Sequence, residues 1–135
     1  MLDFNFLAIA LATIAMTTIG AIWFNAPFAF QRIWLAGIGK TSEQVIADFS
    51  PIKPVLSLVG SAIMAVIFSV LLSWLAVSGV VAGIQVGLMV GLCAVIINGV
   101  RDAFEGRPLS LYFVNASHDL TVILVGAGII GFFSG

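Results

Sequence analysis

An all-α fold of four membrane-spanning helices is predicted by three features of the sequence. Of the 135 residues, 61% are hydrophobic and only 8% are charged, whereas soluble domains carry about a quarter charged residues. Four continuous apolar stretches are long enough to cross a bilayer, which takes about 20 helical residues. The stretches do not alternate between apolar and polar residues, and a backbone inside lipid must satisfy its own hydrogen bonds, so helices rather than strands are expected.

The four spans belong to a single domain, residues 1–135, that forms a transmembrane bundle. In chain order they are predicted over residues 4–24, 55–77, 80–100 and 111–133. Ser78 and Gly79 are the main link between the second and third spans, and they predict a tight turn there.

The first connection, residues 25–54, predicts a short helix that lies in the membrane interface. The segment that starts at Pro27 and Phe28 is rich in aromatic and aliphatic side chains and carries a single arginine, Arg32. Aromatic rings concentrate at the interface, and arginine there reaches the lipid headgroups. Further on, Thr41 followed three positions later by Gln44 matches a capping box and predicts the start of a second short helix.

All five lysines and arginines fall in the first and third connections, residues 25–54 and 101–110. The two termini and the turn between the second and third spans contain none. Short loops rich in lysine and arginine stay in the cytoplasm. We therefore expect a multi-pass protein of the inner (plasma) membrane with these two connections in the cytoplasm and both termini outside.

Small residues recur at every fourth position on two of the predicted spans. They are Ser57, Ser61 and Ala65 on the second span, and Gly83, Gly87 and Gly91 on the third. Such rows form grooves that let another helix backbone approach closely. Because the two spans form a hairpin, their grooves are candidates to face one another. Packing within the chain, a subunit interface and a glycine-lined solute path are all open explanations.

Three polar residues near the start of the fourth span, Asn115, His118 and Asp119, share one side of a helix. Asn98 of the third span is close enough to the same membrane face to join them. Asp119 lies about 12 Å past the start of the span at 1.5 Å per residue, where an ionised carboxylate is costly. Three explanations are open. The cluster fixes the register of the helices by hydrogen bonding, or the membrane begins only near Leu120 and the cluster lies in the interface. In the third, the cluster binds or conducts a proton or a small polar solute.

A second candidate surface combines aromatic and basic side chains of the two cytoplasmic connections. Its members are Trp23, Arg32, Trp34, Arg101 and Arg107. One explanation is that the aromatic rings anchor the helices at the interface, and that Arg101 and Arg107 make weak ion pairs with Asp102 and Glu105 in a solvated loop. The other is a recognition surface for a partner, since both connections lie on the same side.

The sequence contains no motif for a catalytic, cofactor or metal site. A phosphate-binding glycine loop, paired cysteines, HExxH and a nucleophile elbow are all missing, and the single histidine has no partner at metal-ligand spacing. No basic-aromatic surface suits nucleic acid. We therefore expect a non-enzymatic protein without a cofactor that self-associates as a homo-oligomer or serves as an accessory subunit of a larger membrane complex. The alternative is a homo-oligomeric proton-coupled transporter or channel that uses His118 and Asp119.

Two segments resemble the motifs of a known family. GAIWFNAPFAFQRIW at residues 20–34, followed by Gly-x-Gly and a short Ser/Glu segment, and GRPLSLYFVNASHDL at residues 106–120 are similar to domain of unknown function 1761. The resemblance implies small, mostly bacterial integral membrane proteins with four helices, a long first loop and no assigned activity. Phe24 stands where tyrosine is common. His118 and Asp119 fall where the family pattern is variable or aromatic, so the resemblance supports the fold and adds no chemistry.

Overall fold

A computed structural model describes residues 4–25 and 29–134 of the chain, and these residues form six α-helices. The helices are α1 (Phe6–Asn25), α2 (Ala29–Ile38), α3 (Ser42–Ala47), α4 (Ile52–Leu75), α5 (Val80–Phe104) and α6 (Leu109–Phe132). Four of them, α1, α4, α5 and α6, are long and apolar enough to cross a membrane. The predicted all-α fold with four membrane helices is confirmed.

The third membrane helix extends further than the sequence predicts. α5 continues past the predicted end at residue 100 as far as Phe104, so Arg101 and Asp102 lie on a helix. The connection to α6 shrinks to residues 105–108, where Gly106 adopts a left-handed φ of 66°. We call the end of the bundle that carries this connection and the one between α1 and α4 the charged end.

The second membrane helix is shifted towards the N-terminus relative to the predicted span 55–77. α4 begins at Ile52 and includes Pro54, because proline is tolerated in the first helical turn, where its missing N–H is not needed. It ends at Leu75, and Ala76 closes it in the left-handed region with φ 52°. The tight turn to α5 then runs to Gly79, which has φ 92°.

The predicted interfacial segment forms α2, although its first residues, Pro27 and Phe28, lie outside the described residues. α2 packs on the bundle through Gly37, where a Cβ would lie 2.7 Å from the Cβ of Leu111 on α6. Phe30 and Ile33, on the same side of α2 as Gly37, are only partly covered, at 42% and 38% exposed. This position suits a helix that lies along the membrane interface and covers the charged end.

The predicted capping box opens α3. The Gln44 N–H donates to Thr41 Oγ1 at 3.3 Å, and the Thr41 N–H donates to Gln44 Oε1 at 2.9 Å. Asp48, which directly follows α3, accepts a hydrogen bond from Lys40 Nζ at 2.6 Å, and Lys40 precedes the helix. That hydrogen bond, and next the charge of Lys40, lower the pKa of the Asp48 carboxyl. α3 is therefore a short surface helix fixed by local bonds on both sides.

α6 is the central helix of the bundle and contacts α1, α2, α4 and α5. Its most extensive contact is with α5, while α4 and α5 touch little despite the tight turn between them. The apolar core lies between α1, α4 and α6, and it is formed by Ala8, Ala12, Met16, Ala65, Phe68, Leu72, Val122, Ile123, Ala127 and Ile130. Asn115, His118 and Asp119 of α6 are partly buried against the neighbouring helices.

The glycine row of α5 faces α6. A Cβ on Gly83 would overlap the carbonyl oxygen of Ala127, and a Cβ on Gly87 would lie 2.7 Å from the Ala127 side chain. A Cβ on Gly91 would lie 2.8 Å from a methyl group of Leu120. In lipid such close backbone approach supplies the packing energy that the hydrophobic effect supplies in water.

The small residues of α4 serve a different contact. Ala65 belongs to the core with α1 and α6, and Ser61, one turn earlier, is also buried, whereas Ser57 is exposed. The two predicted grooves therefore do not face one another. The surface that matches the α5 glycines is on α6, around Ala127 and Gly131, because only there are both backbones bare enough to touch.

Replacing Gly83 by alanine should destabilise the bundle, because the new methyl group would meet a backbone carbonyl that no side-chain movement can relieve. Overpacking of this kind costs about 1–3 kcal/mol. Gly128→Ala is the matched control, since its Cβ would make only ordinary contacts with side chains, at 3.4 Å to Ile84 and 3.9 Å to Val80. Thermal unfolding in detergent, followed by tryptophan fluorescence, should show a lower Tm for Gly83→Ala alone. Equal Tm values for the two variants would contradict this packing.

Candidate functional site

A polar pocket of about 240 Å³ lies near the charged end, between α5 and α6, with α1 as its third wall. Its lining residues are Phe24, Asn98, Arg101, Asp102, Tyr112, Asn115, Ala116, His118 and Asp119. All four members of the predicted polar cluster, Asn98, Asn115, His118 and Asp119, line this one pocket. The two asparagines and the His–Asp pair come from α5 and α6, which the glycine contact holds together.

His118 and Asp119 form a side-chain pair at the centre of the pocket. His118 Nδ1 lies 2.9 Å from Asp119 Oδ1, and Asn98 Nδ2 donates to Asp119 Oδ2 at the longer distance of 3.5 Å. The Asp119 side chain is 34% exposed and His118 is 18% exposed. The carboxylate is therefore reachable from the pocket, whereas the imidazole is mostly enclosed by protein.

Aromatic rings of α1 enclose the imidazole of His118. The Phe24 ring centroid lies 4.8 Å from that of His118, and Trp23 is edge-on at 6.1 Å. One turn earlier, a Cβ on Gly20 would lie 3.3 Å from His118 Nε2. Nε2 itself is buried and has no hydrogen-bond partner. One edge of the ring thus faces the carboxylate and the other faces α1.

The same aromatic rings connect α1 to α2. Trp23 stacks on Phe30 with centroids 4.9 Å apart, and Phe24 packs on Trp34 at 5.1 Å. Trp23 and Trp34, two members of the predicted recognition surface, are therefore half-buried in a stack that holds α2 over the charged end.

The basic members of that surface do not share the aromatic stack. Arg32, Arg101 and Arg107 are all exposed, on α2, on α5 and in the connection before α6. Arg101 lines the polar pocket, and Arg107 borders a neighbouring groove. The structure thus separates the five predicted residues into an aromatic stack and a set of surface cations.

A buried carboxylate that sequence reasoning missed lies at the pocket mouth. Asp102 is 5% exposed, and its Oδ1 lies 3.8 Å from both Arg101 Nη2 and Arg107 Nε. The prediction of a solvated loop is wrong for Asp102, because α5 runs through it. The two guanidinium groups reduce the electrostatic cost of burying this charge, but Asp102 Oδ1 accepts no hydrogen bond from either of them. Its position four residues after Asn98 is the signal that could have found it, since such residues share a helix face.

The pocket offers a protonatable pair beside hydrogen-bond donors and acceptors. An imidazole can hold a proton at either ring nitrogen and can pass one to a carboxylate in contact with it. Tyr112 is fixed in the wall, because its hydroxyl donates to the Val95 carbonyl at 3.2 Å. In residues 4–25 and 29–134, no group of three His, Cys, Asp or Glu side chains is arranged to hold a metal ion.

Comparison with known proteins gives one match. A family model described as "Protein of unknown function (DUF1761)" matches residues 7–131. No curated protein and no solved structure matches the chain. The matched range covers the four membrane helices except Phe6 and Phe132, and it includes every residue that lines the pocket.

Replacing Asp102 by asparagine should destabilise the charged end, because the two guanidinium groups would lose the carboxylate that lies between them. Asp102 Oδ1 has no hydrogen-bond partner, so the loss comes from the two ion pairs at 3.8 Å. Unit charges about 4 Å apart interact by roughly 1–4 kcal/mol between bulk water and a protein surface. Glu105→Gln is the control, since Glu105 pairs with Arg107 at the exposed surface and such pairs contribute little. Chemical unfolding in mixed micelles measures both variants. A Glu105→Gln loss as large as that of Asp102→Asn would argue against a special role for the buried carboxylate.

Proposed function

Because the chain belongs to the DUF1761 family, whose function is not established, we propose its function from the pocket of this multi-pass membrane protein. We propose that it is a proton-coupled carrier of a small polar solute. The observation that supports this best is the His118–Asp119 contact of 2.9 Å inside a polar pocket. Ionisable residues within membrane helices face water-filled cavities or the bundle interior and are frequently part of ion or substrate paths.

The size of the pocket limits the solute. A volume of about 240 Å³ corresponds to roughly eight water molecules at about 30 Å³ each. Asn98 and Asn115 offer amide donors and acceptors, Asp119 an acceptor, and Arg101 a cationic donor. These groups suit a compact solute with several hydrogen-bonding atoms rather than a long apolar molecule.

Coupling would arise from the cost of an ionised carboxylate within a membrane helix. That cost is about 2.5–3.5 kcal/mol or more, and a bound solute that donates hydrogen bonds to Asp119 reduces it. Binding of the solute and release of the proton are therefore linked, since each favours the same ionised form. Arg101 and Asp102 are the other charged groups that line the pocket. By the distribution of lysine and arginine, the pocket mouth opens to the cytoplasm.

Asp119→Asn should abolish proton movement through the reconstituted protein, because the amide keeps the shape of the carboxylate and cannot exchange a proton. Proteoliposomes are filled with a pH-sensitive dye and placed in a medium that contains amino acids, polyols and urea. The external pH is then changed, and the dye reports proton movement into the liposomes. Glu105→Gln is the control, since it changes an exposed acid outside the pocket. Wild-type flux in correctly assembled Asp119→Asn protein would remove the proposal.

A second candidate function is a self-associating protein or an accessory subunit of a larger membrane complex. The glycine row of α5 already packs against α6. Support for self-association must therefore come from another surface of the protein. Gln85 provides it: this amide is exposed on α5 beside the exposed apolar residues Val81, Ile84 and Met89. Polar side chains on membrane helices hydrogen-bond across helix–helix contacts.

If α5 is an interface between copies, Gln85→Leu should shift the protein towards the monomer by removing an interhelical hydrogen bond worth about 0.6–2 kcal/mol. Native mass spectrometry from mild detergent measures the distribution of oligomers. Met89→Leu, an apolar exchange on the same helix, should leave that distribution unchanged. A wild-type chain that is monomeric at all concentrations would exclude self-association, and one that purifies with another subunit would favour the accessory role.

A further inference from the structure

The polar pocket between α5 and α6 carries an excess of negative charge. With His118 neutral, its charged lining residues are two acids, Asp102 and Asp119, and one base, Arg101. The Arg101 side chain is 58% exposed and the Asp102 side chain only 7%. Water and salt screen an exposed charge, whereas a charge shielded from water acts strongly on its surroundings. The pocket therefore favours a positively charged ligand.

Asp102 contributes to this negative potential from the wall of the pocket. Its Oδ1 is enclosed and accepts no hydrogen bond, and the guanidinium groups of Arg101 and Arg107 lie 3.8 Å away. Buried charges in proteins are otherwise paired and hydrogen-bonded. Because Oδ1 is enclosed, Asp102 acts on a ligand through its charge, and another residue must make the direct contact.

Asp119 is the residue that can make that contact. Its side chain is 34% exposed and lines the pocket. Within the protein it meets His118 Nδ1 at 2.9 Å and accepts from Asn98 Nδ2 at 3.5 Å. An ionised carboxylate has about four acceptor positions, so positions remain for a ligand that donates hydrogen bonds. The Asn115 amide, four residues earlier on α6, lines the same pocket and adds a carbonyl oxygen.

Aromatic rings form another part of the wall. Phe24 and Tyr112 both line the pocket, and the ring centroid of Phe24 lies 4.8 Å from that of His118, the partner of Asp119. The face of an aromatic ring attracts a cation and offers nothing comparable to a neutral polyol. A volume of about 240 Å³ is far larger than a single metal ion needs. It leaves room for carbon atoms beside a charged group.

We propose that the solute is a small organic ammonium ion. Its N–H groups donate to Asp119 and to the carbonyl oxygen of Asn115, and its carbon atoms lie against Phe24. An ammonium group suits all of these neighbours, because it is a cation that donates several hydrogen bonds and accepts none. This inference rests on the proposed function and names the class of substrate that the same site takes.

The ammonium ion and the proton compete for one carboxylate. A protonated Asp119 is neutral and gives the ion no partner of opposite charge. Once the proton leaves to water, the ion takes its place, and the total charge of the pocket is the same before and after. Tyr112, His118, Arg101 and Asp102 are the other titratable groups on the pocket walls. The carrier therefore exchanges one ammonium ion for one proton.

Binding to the detergent-solubilised protein tests the class of solute without transport. Ethylammonium chloride is titrated at constant ionic strength against sodium chloride. Tryptophan fluorescence follows binding, since Trp23 and Trp34 pack on His118 and Phe24. Ethylammonium should bind, and ethanol, which has the same shape without the charge, should not. Tetramethylammonium has the charge without an N–H donor and should bind about tenfold more weakly or worse. Equal binding of ethanol and ethylammonium would overturn the proposal.

Arg101→Gln is the most discriminating variant, because it removes the one basic residue that lines the pocket. Ethylammonium should then bind about twofold to fivefold more tightly, whereas a solute held through a carboxylate would bind more weakly. Asp119→Asn should abolish binding, and Asn115→Ala should weaken it about fivefold. Glu105→Gln is the matched control, since it removes an acid at the exposed surface that pairs with Arg107, and it should leave the affinity unchanged.

Unchanged affinity for ethylammonium in Asp119→Asn, or weaker binding in Arg101→Gln, would overturn the ammonium site. If ethylammonium bound as expected while the reconstituted protein moved no protons, the ammonium site would stand and the carrier would fall. If polyols or urea supported proton flux that depends on Asp119 and ethylammonium did not bind, the carrier would stand and the ammonium site would fall.

Discussion

The backbone contact between α5 and α6 is the constraint on which the rest of this molecule depends. Two helices in lipid gain nothing from hiding apolar surface, so they associate where their backbones can touch. Here Gly83 and Gly87 lie against Ala127, and the Gly79 N–H donates to the Gly131 carbonyl at 2.9 Å. These contacts place Asn98 opposite Asp119. The pocket is thus a consequence of glycine packing at the far end of the same two helices.

The position of α6 explains how one membrane helix can carry several polar side chains. It contacts every other membrane helix, so Asn115, His118 and Asp119 face protein and the pocket instead of hydrocarbon. α1 contributes the opposite kind of surface, with Phe24 and Trp23 against the imidazole. The pair therefore faces the polar pocket on one side and aromatic rings on the other.

The sequence predicts much of this architecture, because the signals involved are local. Twenty-residue apolar runs define membrane helices, and the Thr41–Gln44 spacing defines a cap. Three-residue and four-residue spacings place Asn115, His118 and Asp119 on one side of α6. Hydropathy ends the third span at residue 100, four residues before the helix ends, because charged residues follow. Charged residues are compatible with a helix, and the stop signal is the left-handed Gly106 followed by Pro108.

The sequence does not determine which helices pack against one another. A row of glycines says that some helix approaches closely, but the choice of α6 over α4 depends on both surfaces at once. The close approach of His118 Nε2 to Gly20 has the same origin, since the two residues are almost a hundred positions apart along the chain. Burial of Asp102 likewise follows from the extension of α5 and its orientation towards α6.

The four-residue period of the α5 glycines has a consequence for helix register. A row that repeats every four residues presents nearly the same surface after a slide of one repeat, about 6 Å along the axis. Shape alone therefore leaves the alignment degenerate. The Gly79–Gly131 hydrogen bond at one end, and the Tyr112 ring against Gly99 at the other, lift that degeneracy. A slide of one repeat would preserve the glycine contact but move Asn98 away from Asp119. The register of α5 against α6 therefore decides whether the residues of the pocket come together.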